Sequence, residues 1–207
     1  MKFIGIILLL LTSIFLIACS ANQASNKTSN SELENLASKY GGVYIFNEKF
    51  EKEITTKEKI RREAELAIVN ASKTDAEMRK NLKGFDAKYP QILSNGKKYY
   101  TRWIDYERET GKKAEIPEIY INKIKEFMGD DFLKEEPRIY PKYMYFDGKE
   151  MSVIKIYLSY DYIKTKYGLF GDEGRGVKLS KQNFVTRTSR SEFYIVNGKF
   201  ERVSKDK

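Results

Sequence analysis

The sequence predicts an α+β domain in which N-terminal helices pack on one face of a curved antiparallel sheet of about four strands. Helix signals occupy the chain up to about residue 137, and strand signals follow them. Two dipeptides typical of tight hairpin turns, Asp147-Gly148 and Asn197-Gly198, separate strand-like segments. Helices that cover a sheet meander bury the apolar surfaces of both kinds of element, so this order of signals favours that fold.

The helix predictions depend on capping residues. Ser31 is expected to cap a short helix over residues 32–40, and Gly41-Gly42 should end it. The pattern T-x-x-E at residues 55–58 and again at 74–77 has the spacing of a capping box, so each should open a helix. The first of these two helices carries an apolar stripe whose spacing predicts a core-facing surface, formed by Ile60, Ala64, Ala67 and Ile68.

The middle of the chain contains one clear helix and one ambiguous segment. Pro117 is typical of a first helical turn, and Gly129 is expected to end that helix. Its apolar surface should come from Ile119, Ile121, Ile124 and Phe127. Residues 97–109 are ambiguous, because their aromatic residues favour a strand and their second half favours a helix.

Strands are predicted at residues 139–146, 151–163, 181–196 and 200–203, and residues 43–46 form a short apolar run. In the second strand, alternate residues define two faces. The face expected to cover the core consists of Ile154, Ile156, Leu158, Tyr160 and Tyr162. The other face consists of Val153, Lys155, Tyr157, Ser159 and Asp161.

Composition excludes several kinds of site. The 207 residues contain no histidine, which excludes histidine-dependent hydrolysis and zinc sites with imidazole ligands. Cys19 is the only cysteine, so an internal disulfide is impossible. The net charge of +9 favours anionic partners, but the basic residues are dispersed, and we favour the interpretation that they only make the surface soluble.

The N-terminus has the pattern of a secretion signal. Lys2 precedes an almost unbroken apolar stretch over residues 3–17. The following Leu16-Ile17-Ala18-Cys19 resembles the lipobox of bacterial lipoproteins. The resemblance implies cleavage before Cys19 and acylation of that cysteine, which would anchor the chain to a membrane. Three parts are therefore expected: a signal peptide at 1–18, a flexible tether at 19–31 and a single α+β domain at 32–207.

The order of helices and strands, and the final hairpin at residues 194–200, also resemble the α+β domains of the NTF2-like and cystatin-like superfamilies. This resemblance implies a pocket between the helices and the sheet. Some members of these superfamilies use such a pocket for catalysis, and many others use it for binding or assembly. It supplies no catalytic residue here, because the usual Asp/His pairs cannot be matched in a chain without histidine.

Six residues are candidates for contact with a ligand or partner. The stretch at 97–103 interleaves basic and aromatic side chains, a pattern that can stack on sugars and hold phosphates. Its candidates are Lys98, Tyr99, Arg102 and Trp103. Core packing of Tyr100 and Trp103 is the competing interpretation, and we favour it.

The two other candidates are Asp161, as an acid or base on the polar strand face, and Arg175, as an anion-binding residue in the glycine-rich segment 168–176. The competing interpretations, which we favour, are a strand face that is solvated or lies against neighbouring strands for Asp161, and a mobile connection between strands for Arg175.

These features favour an envelope lipoprotein whose domain binds a partner without catalysis. It would lie in the outer membrane of a Gram-negative cell or on the extracytoplasmic face of a Gram-positive cell membrane. A surface adhesin-like binder of anionic polymers and a small-ligand carrier or pocket enzyme of NTF2-like type are the alternatives. The expected partners are the membrane, through the lipid, and an envelope protein or anionic polymer. Nucleic acid, a cofactor and a metal ion are not expected.

Overall fold

The structure is a computed structural model that describes residues 28–172, 174, 176–186 and 191–203. The predicted signal peptide, Cys19 and Arg175 lie outside the described residues. The helices are α1 Asn30–Tyr40, α2 Glu48–Ala71, α3 Asp75–Asn81, α4 Phe85–Lys88, α5 Trp103–Thr110, α6 Glu118–Met128 and α7 Asp131–Lys134. The strands are β1 Gly42–Ile45, β2 Tyr99–Tyr100, β3 Arg138–Phe146, β4 Met151–Ser159, β5 Tyr162–Asp172, β6 Gly176–Thr186, β7 Ser191–Val196 and β8 Lys199–Val203.

The α+β class is confirmed, but the predicted sheet of about four antiparallel strands is wrong. The main sheet has six strands in the order β2-β3-β4-β1-β7-β8, and β5 and β6 form a separate two-stranded ribbon. The sheet is mixed, because β1 pairs with β4 antiparallel and with β7 parallel. The short strand β1 therefore lies between two C-terminal strands, a long-range pairing that local patterns do not reveal.

Two predicted long strands are each interrupted. Residues 151–163 divide into β4 and β5, because the chain leaves the main sheet at Tyr160 and Asp161. Residues 181–196 contain the end of β6 and all of β7, and residues 187–190 lie outside the described part. As a result, most of the segment 168–176, predicted to be a connecting loop, is strand. The Asn197-Gly198 turn is confirmed, with both residues at positive φ between β7 and β8.

Helices cover both faces of the sheet, so the prediction that they pack on one face is wrong. Tyr44 and Ile45 are consecutive in β1 and therefore point to opposite faces. On the first face, the Tyr44 ring lies 6.1 Å from that of Phe127 in α6. On the second face, Lys155, the cross-strand partner of Ile45, forms an ion pair with Glu51 of α2.

A bulge changes which residues of β4 face the main core. Tyr143 pairs with Lys155 and Met144 pairs with Val153, which leaves Ile154 without a partner in β3. Consequently Val153 and Ile156 both belong to the main core cluster, whereas Ile154 packs in a second cluster. That second cluster contains Ile54, Leu93, Tyr99 and Ile154. The simple alternation predicted for this strand holds only beyond the bulge.

The helix predicted to open at Thr55 begins earlier. Asn47 caps α2 by accepting the N–H of Phe50 at 3.0 Å, and the Thr55 hydroxyl instead donates to Glu51 inside the helix. Ile60 is exposed and the rest of the predicted apolar stripe is not buried, because only residues near the start of α2 meet the sheet.

The other helix predictions have mixed outcomes. The box at residues 74–77 is confirmed, since the Thr74 hydroxyl accepts the N–H of Glu77 at 3.2 Å. Ser29, and not Ser31, caps α1. Pro117 directly precedes α6, in which Ile124 is buried although Ile119 is exposed. The ambiguous segment 97–109 contains both β2 and most of α5.

The hydroxyl of Tyr160 has no hydrogen-bond partner among the described residues, although the side chain is buried. A buried polar group without a partner loses its hydration and gains nothing in return. We therefore expect Tyr160→Phe to raise the free energy of unfolding by about 1 kcal/mol. Urea denaturation of both proteins measures this change. A destabilised variant would show that the hydroxyl has a partner.

The Asp131 carboxylate accepts three hydrogen bonds where α7 meets α1. Lys134 donates to it at 2.6 Å, Tyr40 at 2.7 Å and Lys39 at 2.9 Å. These bonds hold the pKa of Asp131 far below its usual range. A carboxyl whose pKa is lower in the folded than in the unfolded state stabilises the fold above its unfolded pKa of about 3.9. That contribution decreases as the pH falls toward the folded value.

Asp131→Asn is accordingly expected to lower the free energy of unfolding at pH 7 by about 1 kcal/mol or more. The difference from the unsubstituted chain should narrow once the pH falls below about 4. Urea denaturation at neutral and acid pH measures both effects. Asp130→Asn is the control, because no ion pair of Asp130 lies in the described part of the chain. Equal effects of the two substitutions at pH 7 would contradict the prediction.

Candidate binding groove

An open groove crosses the second face of the sheet, between α5 and strands β1, β3 and β4. Its volume is about 610 Å³. That size falls within the range of small-ligand sites, but the groove is open to solvent and not closed over. The lining residues are Val43, Thr101, Arg102, Trp103, Ile104, Tyr140, Pro141, Lys142, Lys155, Tyr157 and Ser159.

The start of α5 places an exposed tryptophan at the edge of the groove. β2 pairs with β3, and the chain then turns so that α5 begins at Trp103. Tyr106 anchors the helix, since its buried ring packs edge-on against Tyr100 with 5.4 Å between ring centroids. Trp103 and Ile104, in the first turn of the helix, remain 45% and 44% exposed. The favoured interpretation, that Trp103 is a core residue, is wrong, although Tyr100 is buried.

The floor of the groove is formed by β3 and β4. Tyr140 lies opposite Tyr157 in the pair of strands. Lys142 is unpaired in the register between Pro141 and Tyr143, so β3 also contains a bulge there. A bulge reorients side chains locally, and Lys142 is exposed at the groove.

The positive charge in the groove comes mainly from Arg102 and Lys142. Lys155 is already neutralised, because its ammonium lies 2.8 Å from the Glu51 carboxylate and over the ring of Tyr143. Arg102 is only loosely paired with Asp105, at 3.6 Å, and its side chain is 67% exposed. Lys142 forms no ion pair within the described residues. The groove therefore offers two accessible cations beside exposed aromatic rings, an arrangement suited to anionic or sugar-like groups.

The structure separates the five candidate residues that it describes. Arg102 and Trp103 line the groove together with the polar side of β4. Tyr99 is buried, and its hydroxyl donates to Glu58 at 2.8 Å, so it belongs to the second core cluster. Lys98 faces a neighbouring depression, where it is paired with Glu109.

Asp161 lies between β4 and β5, and its carboxylate forms an ion pair with Arg138 at 2.9 Å. It is not among the groove-lining residues. The prediction for Arg175 falls outside the described residues.

Two groove residues, Tyr140 and Lys142, were not identified from the sequence. Pro141 between them is the signal that could have indicated them, because proline inside a strand marks an edge or a bulge. The side of the bulge to which each residue points depends on the register with β4, which the sequence does not specify.

The comparisons with known proteins supply no ligand for this groove, since no family model, no curated protein and no solved structure matches the chain. The resemblances to lipoprotein leaders and to NTF2-like domains therefore stay predictions. Across the described ranges, no helix has the length and apolar character needed to cross a bilayer. Residues 28–172, 174, 176–186 and 191–203 likewise hold no group of three acidic or cysteine side chains that could bind a metal ion.

Proposed function

We propose that this chain is a membrane-anchored envelope lipoprotein whose domain binds an anionic polymer of the cell envelope along the groove, without catalysing a reaction. The observation that carries the proposal is the exposed Trp103 beside Arg102 and Lys142 in an open groove. An exposed tryptophan flanked by accessible cations can stack on a sugar ring and pair with its acidic groups. The lipobox-like sequence ending at Cys19 supports the proposed location in the cell envelope.

An open groove suits an extended ligand, because both of its ends can continue beyond the site. This favours a polymer over the small-ligand carrier or pocket enzyme, which would need an enclosed apolar cavity. An acidic segment of an envelope protein has related chemistry and is the second candidate. It lacks a sugar ring to stack on Trp103, so the two ligands differ in how strongly they depend on that side chain.

Binding to immobilised heparin, used as a model anionic polysaccharide, tests the groove. Trp103→Ala is expected to weaken binding at least about tenfold, as for a central aromatic contact. Arg102→Gln should weaken it about fivefold. Binding should also fall steeply as salt increases.

A matched control is available in Arg108, which also pairs with Asp105 and is equally exposed at 69%, but faces the neighbouring depression. Arg108→Gln should leave binding nearly unchanged. If both arginine substitutions weaken binding equally, the charge of the chain and not the groove is responsible. If binding is absent or insensitive to salt, the anionic-polymer proposal is wrong.

The anchor is tested separately by mass spectrometry of the N-terminal peptide from native cells. An acylated Cys19 at the mature N-terminus is the expected result. A free thiol at Cys19, or an intact Met1, would contradict the proposed anchoring to the membrane.

A further inference from the structure

The ribbon formed by β5 and β6 has one face on which most of the exposed side chains are large and apolar. In its register, Ile163 lies opposite Val185 and Leu169 opposite Leu179. Because side chains alternate between faces, every second residue of each strand belongs to this face. Six of its side chains are large and apolar, with exposed fractions between 50% and 78%: Ile163, Tyr167, Leu169, Val177, Leu179 and Val185.

The opposite face of the ribbon has a different character. On this face, the ring centroids of Phe170 and Phe184 lie 5.7 Å apart, so the two rings pack against each other. The same face carries three lysines, Lys164, Lys166 and Lys178. The exposed apolar surface is thus concentrated on one side of the ribbon. The polar members of the apolar face are Lys181 and the pair Thr165 and Asn183, whose side chains are hydrogen-bonded at 2.8 Å. An exposed patch of large apolar side chains in an otherwise charged surface marks a site of interaction with another molecule or with a membrane.

The charge of the ribbon indicates which occupant fits. Residues 162–186 contain five basic and two acidic residues, which leaves a net charge of +3. The four lysines of β5 and β6 are exposed and form no ion pair within the described part of the chain. A two-stranded ribbon is thin, so all four lie within about one Debye length, roughly 8 to 10 Å, of any surface that the apolar face touches. Anionic lipid headgroups would therefore attract the ribbon while its apolar side chains enter the interface.

The start of the folded chain lies at the base of this ribbon. The Asn30 side chain donates to the carbonyl of Ile163 at 2.9 Å and accepts its N–H at 2.6 Å. Thr28 donates to the carbonyl of Lys134 at 3.1 Å, and the adjacent Leu133 is 83% exposed. Cys19 precedes Thr28 by nine residues, which can span at most about 32 Å. That span is close to the length of β5, about 36 Å for its 11 residues.

We infer that the apolar face of the ribbon lies in the headgroup region of an anionic membrane, beside the point where the tether enters the domain. This inference deepens the proposed function and rests on it, because the lipid on Cys19 would hold the ribbon close to a bilayer. Tyr167 fits the same location, since tyrosine favours the membrane–water interface. The lysine stems can reach around the narrow ribbon so that their ammonium groups meet lipid phosphates.

The test uses the chain from Ser20 onward, which lacks the lipid but contains every residue of the fold. Its sedimentation with vesicles containing phosphatidylglycerol is compared with sedimentation with vesicles of phosphatidylcholine alone. Binding to the anionic vesicles is expected, and weaker binding to the neutral ones. Lys164→Gln with Lys178→Gln should reduce the preference for anionic vesicles about tenfold.

Removal of two facing leucines tests the apolar face directly. Leu169→Asn with Leu179→Asn should lower the vesicle partition coefficient at least about tenfold. Ile119→Asn is the control, because this isoleucine is 64% exposed but lies on α6, away from the ribbon. In case the double variant misfolds, Leu179→Trp in a Trp103→Phe background gives an independent measurement. Its fluorescence should shift to the blue on anionic vesicles.

Each outcome decides the inference. Loss of binding in the leucine variant alone, or the blue shift, supports it. Absence of vesicle binding, an unchanged emission spectrum, or equal loss in the Ile119 control overturns it. A dimer of the unsubstituted chain that the leucine variant abolishes also overturns it, because a second copy would then occupy the face. If the chain lacking lipid fails to bind while native Cys19 is acylated, the proposed function stands without this inference.

Discussion

Replacing Gly42 with alanine is expected to destabilise the fold by about 3 kcal/mol or more. Gly42 has φ +147°, a conformation that residues with a side chain rarely adopt. A Cβ placed on it would lie 2.3 Å from the carbonyl oxygen of Ser191 and 3.0 Å from its carbonyl carbon. Both atoms belong to the backbone of β7, so the clash cannot be relieved by rotating a side chain. The parallel pairing of β1 with β7 must shift instead.

The position of β1 makes this shift costly. β1 lies in the interior of the main sheet and joins the β2-β3-β4 part to the β7-β8 part. Its Tyr44 is also central to the aromatic core, stacked on Phe193 at 4.6 Å. Moving β1 away from β7 therefore disturbs both the hydrogen bonding of the sheet and the packing of the main cluster.

Urea denaturation followed by circular dichroism measures the change. Gly96→Ala is the matched control, because Gly96 also has a positive φ, +78°, but its Cβ would meet no atom within 4 Å. Backbone strain alone should then cost about 1 kcal/mol. If Gly42→Ala lowers the free energy of unfolding no more than Gly96→Ala does, the close approach of β1 and β7 is not a constraint on the fold.

Gly42 also illustrates how far the sequence allows the fold to be predicted. The pair Gly41-Gly42 is a correct signal for the end of α1, because that signal is local. The need for glycine at position 42 arises from contact with Ser191, a residue about 150 positions later. In the same way, the hairpins at Asp147-Gly148 and Asn197-Gly198 follow from adjacent residues. The mixed sheet depends on pairing between distant segments, which no local pattern encodes.

The groove shows the same division between local and long-range information. The chemistry of Arg102 and Trp103 is evident from the sequence, and the two residues do lie in one site. That Tyr99 is buried and Trp103 exposed is not evident from the sequence, because both are aromatic residues in one basic stretch. Tyr99 belongs to a strand that meets β3 and the α2 helix, whereas Trp103 begins a helix in which Tyr106 is the one buried side chain. Tertiary packing therefore decides which aromatic ring is exposed.

The ion pair between Glu51 and Lys155 gives the second large expected effect. The two groups lie 2.8 Å apart, and their side chains are only 12% and 13% exposed. The Thr55 hydroxyl also donates to the same carboxylate at 3.1 Å. Removing one partner leaves a charge in a place where water cannot fully hydrate it. We expect Glu51→Ala to lower the free energy of unfolding by about 3 kcal/mol for that reason.

Replacing both Glu51 and Lys155 should lower the free energy of unfolding much less than replacing Glu51 alone. In Glu51→Met with Lys155→Met, no charge remains to be desolvated, and the two apolar side chains can pack between α2 and the sheet. We expect this double variant to lie within about 1 kcal/mol of the unsubstituted chain. Comparing the double variant with Glu51→Ala thus distinguishes the cost of an unpaired charge from the intrinsic contribution of the pair.

Glu48 provides the control on the same helix turn, because it pairs with Lys52 at 2.6 Å while both side chains are more than half exposed. Glu48→Ala should cost less than about 1 kcal/mol, since water hydrates the remaining lysine. Urea denaturation of the three variants measures the whole set. If Glu51→Ala and Glu48→Ala lower the free energy of unfolding equally, burial does not control the strength of the contact between α2 and β4. If the double variant is as unstable as Glu51→Ala, the pair itself stabilises the attachment of α2 to the second face of the sheet, and with it the second core cluster beside the groove.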